Sequence, residues 1–156
     1  MKVIIAEDDV MLADFLAEGL VDLGHDVAGI ACNVAEAVAL ARLHHPDVAI
    51  FDMQLGHGEL GTDIANQLAA SNDLDGIGVL YVTGEAERVV REARFGHGCL
   101  HKPYSLTTLQ SALSIVDDIA HGKISSAPTP LGMQLLGLPS GAILPRGQGS
   151  VFVASM

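Results

Sequence analysis

Basic residues are scarce in this 156-residue chain. Eight Lys and Arg stand against 19 Asp and Glu, for a net charge of −11. That balance argues against a protein that wraps nucleic acid by itself, because such binding needs a basic surface to displace counterions. Cysteine is rarer still. Cys32 and Cys99 cannot make a disulfide framework and are not spaced as zinc ligands, so a reducing, cytoplasmic compartment is expected. Both thiols are expected as small buried side chains. No run of about 18 apolar residues occurs, which excludes a membrane-spanning helix. The apolar run after Met1-Lys2 ends at Ala6, too short for the core of a signal peptide. No spacing suggests a Ser/His/Asp or Cys/His catalytic set, and no nucleotide-type glycine loop precedes a helix. No internal repeat is present. The seven histidines form no credible metal cluster; His44-His45 closes a helix, and His57, His97 and His101 are scattered among loops.

What is abundant is apolar residue, at 49% of the chain, enough for one core without staples. Charge divides the chain unevenly. All acidic residues lie between Glu7 and Asp118, so residues 1–121 carry −13. Residues 122–156 carry +2, from Lys123 and Arg146, and hold six of 17 glycines and four of six prolines. That shift predicts a domain over 1–121 and a Gly/Pro-rich, mobile extension over 122–156. Leu131, Met133, Leu135, Leu136, Leu138, Ile143, Leu144 and Val151 to Val153 make this extension apolar in places. It is too short to bury a core alone. Two readings stay open: a segment that docks on a partner or on its own domain, and a disordered tail.

Within 1–121, short apolar runs alternate with helical patterns. Val3 to Ala6, Val48 to Phe51, Ile77 to Val82 and Gly98 to Leu100 read as strands buried on both faces, with Val27 to Ile30 as a weaker fifth. Between them lie apolar stripes at helical spacing: Leu12, Leu16, Leu20 and Leu23, with Phe15 beside them; Val34, Val38 and Ala41; Ile64, Leu68 and Ala69; Val89, Val90 and Ala93; and Leu106, Leu109, Leu113, Val116 and Ala120. Asp9, Asn33, Thr62 and Ser105 are the expected N-caps. Five strands alternating with five helices predict an α/β fold with a doubly wound, five-stranded parallel sheet and a C-terminal extension.

In such folds the site lies at the carboxyl ends of the strands. Three runs end in Glu7-Asp8-Asp9, in Asp52 and in Thr83, and a fourth leads to Lys102-Pro103. Parallel strands would gather all of these on one edge. Carboxylates about 4 Å apart repel by about 1 kcal/mol even in bulk water. Glu7, Asp8 and Asp52 with Lys102 leave a charge of −2, which one divalent cation would neutralise, and an all-oxygen site suits Mg²⁺ better than zinc. A carboxylate beside such cations can attack a phosphoryl group. Arg88, Arg91 and Arg94 recur on the fourth helix; a solvated face paired with Glu85, Glu87 and Glu92 is the plainer reading, a docking stripe the alternative.

These elements, Glu7-Asp8, Asp52, Thr83 and Lys102-Pro103 in order, resemble the receiver domain of two-component response regulators over residues 2 to about 120. The resemblance implies a (βα)5, flavodoxin-like receiver fold. It implies that Asp52 accepts a phosphoryl group from a phosphohistidine on a sensor histidine kinase or histidine phosphotransfer protein. Asp8, Asp52 and the Gln54 carbonyl would bind Mg²⁺ directly, and Glu7 through water. Lys102 and Thr83 would contact the phosphoryl group, and a cis peptide bond would precede Pro103. Such a protein catalyses its own phosphotransfer and slow dephosphorylation and is not a turnover enzyme.

Three features depart from the family pattern. Gly56 stands where proline is usual, and Cys99 stands where the switch aromatic is usual. Tyr81-Val82-Thr83-Gly84 resembles the aromatic-small-threonine-glycine run of alphaproteobacterial single-domain receivers, with Val82 and Glu85 as imperfect fits. Switching would then involve Thr83 with Tyr81 or a hinge at Gly84. Three functions follow: a switch that signals by protein contact, a phosphate shuttle or sink, and an aspartate-nucleophile phosphatase of another family. The last would want an acid where Gln54 stands.

Overall fold

A computed structural model describes residues 1–137 and 151–152. Five strands, β1 (Lys2–Ala6), β2 (Asp26–Ala31), β3 (Val48–Phe51), β4 (Gly78–Thr83) and β5 (Gly98–His101), alternate with five helices, α1 (Val10–Asp22), α2 (Val34–His44), α3 (Gly61–Ala70), α4 (Ala86–Glu92) and α5 (Leu106–Ala120). The five strands are parallel, in the order β2-β1-β3-β4-β5. Every residue of β3 and β4 is buried, as expected for central strands covered on both faces. Alternate residues of β1 face opposite ways. Val3 and Ile5 pack with Leu16 and Leu20 of α1 and with Leu109, Leu113 and Val116 of α5. Ile4 and Ala6 pack on the other face, where α2, α3 and α4 contribute Val38, Ile64, Leu68 and Val89.

The sheet does not stop at five strands. Two short strands from the C-terminal segment, β6 (Met133–Leu135) and β7 (Val151–Phe152), continue it beyond β5. β6 runs antiparallel to β5, and β7 parallel to β6. Part of the segment expected as a mobile extension therefore lies on its own domain. Leu138, Ile143, Leu144, Arg146 and Val153 lie outside the described residues.

Local chemistry sets the helix starts. Asp9 accepts from the N–H groups of Met11 and Leu12, Asn33 from Glu36 and Ser105 from Thr108, which satisfies donors that a first turn leaves unpaired. The third cap is different from the expectation. α3 begins at Gly61, so Thr62 lies inside its first turn, and the Asp63 carboxylate accepts from the Leu60 N–H at 3.1 Å. The inward face of α1 also differs: Ala13, Leu16 and Leu20 are buried, whereas Leu12 and Phe15 are 50% and 75% exposed. Cys99 is buried as expected, but Cys32 is exposed, just beyond the end of β2.

Candidate functional site

Parallel register carries the ends of β1, β3, β4 and β5 to one edge. Glu7 follows β1, Asp52 follows β3, Thr83 closes β4 and Lys102 follows β5. Neighbouring strands fix the peptides at these ends. The Asp52 N–H donates to the Ala6 carbonyl, the Glu7 N–H to the Ala31 carbonyl, and the Lys102 N–H to the Thr83 carbonyl, each at 3.0 Å. The functional side chains thus project from backbone that the sheet holds.

The Lys102 ammonium bridges two of the acids, with Nζ 3.2 Å from Asp52 Oδ2 and 3.3 Å from Glu7 Oε2. Glu7, Asp8 and Asp52 each place a carboxylate oxygen within 4.8 Å of the others. Glu7 is 6% exposed, and its Oε1 accepts from the Asp9 N–H at 3.2 Å. Burial, and then the adjacent Asp52 carboxylate, push the Glu7 carboxyl up from 4.5 to about 7. Lys102 is held above its usual range, because the attraction of Asp52 and Glu7 outweighs the opposing effect of burial. Glu7, Asp8, Asp52, Gln54, Thr83, Gly84 and Lys102 line one cavity of about 430 Å³. The Lys102–Pro103 peptide bond is cis.

Three carboxylates this close, with one ammonium between two of them, are a hard-oxygen donor set carrying surplus negative charge. They fit a small divalent cation such as Mg²⁺ by charge and ligand type. Asp8 is exposed and Asp52 half-buried, so both carboxylates are reachable from solvent.

Other expected site residues are placed differently. Thr83 is 2% exposed, and its hydroxyl accepts from the Glu85 N–H at 3.0 Å, which ties it to the start of the loop before α4. Gly84, next to it, is exposed. Tyr81 does not line the acidic cavity. Its ring is fully buried edge-on to Phe51, with centroids 6.1 Å apart, and its hydroxyl donates to the Phe95 carbonyl at 2.8 Å. Burial raises the Tyr81 phenol far above its ordinary range. Cys99 lies in the same core as Tyr81. The arginines of α4 take the plainer reading in part: Arg88 pairs with Glu85 and Glu92, and Arg91 with Glu92.

Two features escaped the sequence reading. Gly61 presses its Cα against the acceptor strand, and a Cβ there would lie 2.1 Å from the Asp52 carbonyl oxygen. A glycine at the first position of a helix was the available signal. Beside the acidic cavity lies a larger, apolar one of about 680 Å³, lined by Leu12, Phe15, Pro103, Tyr104 and Leu106 and reaching Glu7, Asp52 and Lys102. It was missed because Leu12 and Leu106 fit inward-facing helical stripes.

Glu7 makes stability depend on pH. Between about pH 4.5 and 7 the folded chain keeps a proton on Glu7 that the unfolded chain has released, so stability falls as pH rises through that window. The slope from one such group is at most about 1.4 kcal/mol per pH unit. Burial lowers the affinity of His97 for its proton, which gives a slope of the opposite sign. Comparison with Glu7→Gln isolates the carboxyl: in metal-free urea titrations the variant should lose less stability than the parent between pH 5.5 and about 7.5.

Comparison with known proteins bears on this site. Residues 3–114 match the family model described as the response regulator receiver domain. The transcriptional regulatory protein PdtaR of Mycobacterium tuberculosis is 35% identical over 115 residues, covering 73% of this chain and 55% of that protein. The chain thus spans about half the length of that curated relative. The crystal structure of the response regulator PhyR from Brucella abortus superposes with a TM-score of 0.61 at 30% identity, over 74% of this chain and 46% of that one. The signal receiver domain of a modulated diguanylate cyclase from Desulfovibrio desulfuricans G20 gives 0.64 at 30% identity, over 77% and 95%.

Proposed function

We propose that this chain, which belongs to the response regulator receiver domain family, is a phosphorylation switch whose acceptor is Asp52. The observation that carries this reading is the Lys102 ammonium 3.2 Å from the Asp52 carboxylate, at a sheet edge where two further carboxylates supply oxygen ligands. In the step proposed, an Asp52 carboxylate oxygen attacks phosphorus, the bond from phosphorus to the donor's imidazole nitrogen breaks, and that nitrogen takes a proton. An acyl phosphate forms on Asp52 and the donor histidine is regenerated neutral. Asp8, Asp52 and the Gln54 carbonyl would hold Mg²⁺, with Glu7 acting through water; the bound ion would offset phosphoryl charge. Lys102 provides a second positive charge at the acceptor oxygen. Pro103 and Tyr104 wall the approach from the side of α5.

The donor is proposed to be a sensor histidine kinase or a histidine phosphotransfer protein. Val10, Met11, Leu12 and Phe15 of α1 and Leu106 of α5 are all exposed, and Leu12, Phe15 and Leu106 together line the cavity that reaches Asp52. Exposed apolar surface next to polar reactive groups suits a protein partner. Phe15→Asp should therefore slow transfer from a phosphorylated protein donor by about tenfold or more, while uptake from acetyl phosphate stays unchanged. An equal loss with both donors would place Phe15 in the fold and not in docking.

Signalling is proposed to follow from a shift between two arrangements of the Thr83–Gly84 segment and α4, with output by protein contact. In that shift the Thr83 hydroxyl would donate to the phosphoryl oxygens, a role open to it because its oxygen only accepts from the Glu85 N–H. Tyr81 anchors the loop after α4 through Phe95 and would follow that motion. No helix among the described residues is long and apolar enough to cross a membrane. The test is uptake of a phosphoryl group from acetyl phosphate with Mg²⁺, read by intact mass. Wild type should gain one phosphoryl, and none when Mg²⁺ is chelated beforehand; Asp8→Ala should need far more Mg²⁺, and Lys102→Ala should still bind Mg²⁺ but take up the phosphoryl group poorly. Uptake that ignores Mg²⁺ and both variants would refute the assignment.

A further inference from the structure

The edge of β5 is covered by the chain's own C-terminal segment. β6 pairs with it through Gly98–Leu135, Cys99–Gln134 and Leu100–Met133. The ladder continues at both ends: the Leu136 N–H donates to the His97 carbonyl at 3.0 Å, and the His101 N–H to the Gly132 carbonyl at 2.9 Å. Side chains enter both faces of the domain. Met133 and Leu135, each 2% exposed, join the core under α5, and Leu136, 5% exposed, joins the core with Tyr81 and Cys99. The domain is shaped to receive them. A Cβ on Gly98 would lie 2.6 Å from the Met133 methyl, and one on Gly96 would press on the Tyr81 ring beside Leu136. Beyond this short strand, the connecting residues 121–132 are mostly exposed, Ile124 at 72% and Leu131 at 92%, although Ser125 is buried and Ala127 packs against the core under α5.

This strand ends where the site begins. His101, whose N–H donates to the carbonyl of Gly132 just before β6, directly precedes Lys102, whose own N–H donates to the Thr83 carbonyl at the end of β4. The backbone that aims the Lys102 ammonium at Asp52 and Glu7 is therefore fixed on one side by the sheet and on the other by the C-terminal segment. We propose that β6 is an intramolecular ligand of the β5 edge, added as a strand, and that its docking positions Lys102 between Asp52 and Glu7. Strand addition of this kind takes affinity from main-chain bonds and selectivity from alternate side chains. Linkage is reciprocal, so a group that binds Lys102 more tightly in its β6-docked position strengthens docking of β6, and loss of β6 loosens Lys102.

The inference deepens the proposed function, and its test needs no phosphodonor, so failure of Asp52 to accept phosphate would leave it standing. In the full chain, Leu136→Asp places a carboxylate in an apolar seat and should eject the strand. Hydrogen exchange at the His101 amide should then quicken by about tenfold or more, while Leu80 in the central strand stays protected. Limited acetylation followed by peptide mass analysis should find Lys102 labelled about fivefold faster than in wild type, relative to Lys2. Leu136→Ala gives the same comparison should the charged variant fail to fold. A His101 amide that stays protected would overturn β6 as a ligand held by its side chains. A freed His101 amide with unchanged Lys102 labelling would overturn the positioning role.

Discussion

Asp52→Asn should abolish phosphoryl uptake, by at least about a hundredfold, equivalent to about 2.7 kcal/mol or more in the barrier, while the fold survives. The amide keeps the shape of the carboxylate but offers no anionic oxygen to attack phosphorus. Structure should be retained because Asp52 is half-buried at a strand end, and its place in the sheet depends on its N–H to Ala6, not on its side chain. Loss of the carboxylate should also relieve Glu7, whose proton affinity is raised by burial and then by Asp52. The variant should therefore lose less stability than wild type as pH rises toward 8. Phosphorylation assays and urea titrations at two pH values check both halves. Undiminished uptake would remove Asp52 as acceptor.

Gly61→Ala should be nearly as damaging, for a reason that has nothing to do with charge. Gly61 donates its N–H to the Met53 carbonyl at 2.8 Å, which draws the start of α3 onto the backbone that follows β3. At 2.1 Å from the Asp52 carbonyl oxygen, with Phe51 Cβ at 3.3 Å, a methyl group cannot be accommodated unless backbone moves. Overpacking of this kind costs about 1–3 kcal/mol, and here the displaced peptide is that of the acceptor. Loss of stability and slower phosphoryl uptake should appear together. Gly56→Ala is the control: its Cβ would meet only Asp8 Oδ2 at 3.6 Å, an ordinary contact, so both properties should be nearly unchanged. Equal tolerance at the two positions would show that α3 does not brace the acceptor.

Much of this was legible in the chain. Central strands such as Val48 to Phe51 announce themselves because burial on both faces demands an unbroken apolar run, and each run ends at the residue that the sheet then delivers to the edge. The convergence of Glu7, Asp8, Asp52 and Lys102 follows from parallel pairing alone. Helix faces were less legible. Leu12 and Phe15 fit an apolar stripe on α1, yet they stay 50% and 75% exposed, because periodicity marks an apolar face without saying whether another element covers it. Thr62 looked like a cap, but Asp63 supplies the side-chain acceptor for the chain entering α3. β6 was not legible as a strand. Met133 to Leu135 is too short to show a period, and its pairing with β5 depends on seats made by Gly96, Gly98 and the small Cys99, which no local pattern encodes.

The most direct measurement is to locate the covalent phosphoryl group. Wild-type protein would be incubated with Mg²⁺ and acetyl phosphate, the acyl phosphate reduced with borohydride, and the peptides sequenced by mass spectrometry. Conversion of Asp52 to homoserine, absent without phosphodonor, is the expected result. Reduction at Glu7, Asp8 or any other acid in place of Asp52, or a phosphoryl group carried on histidine, would contradict Asp52 as the acceptor.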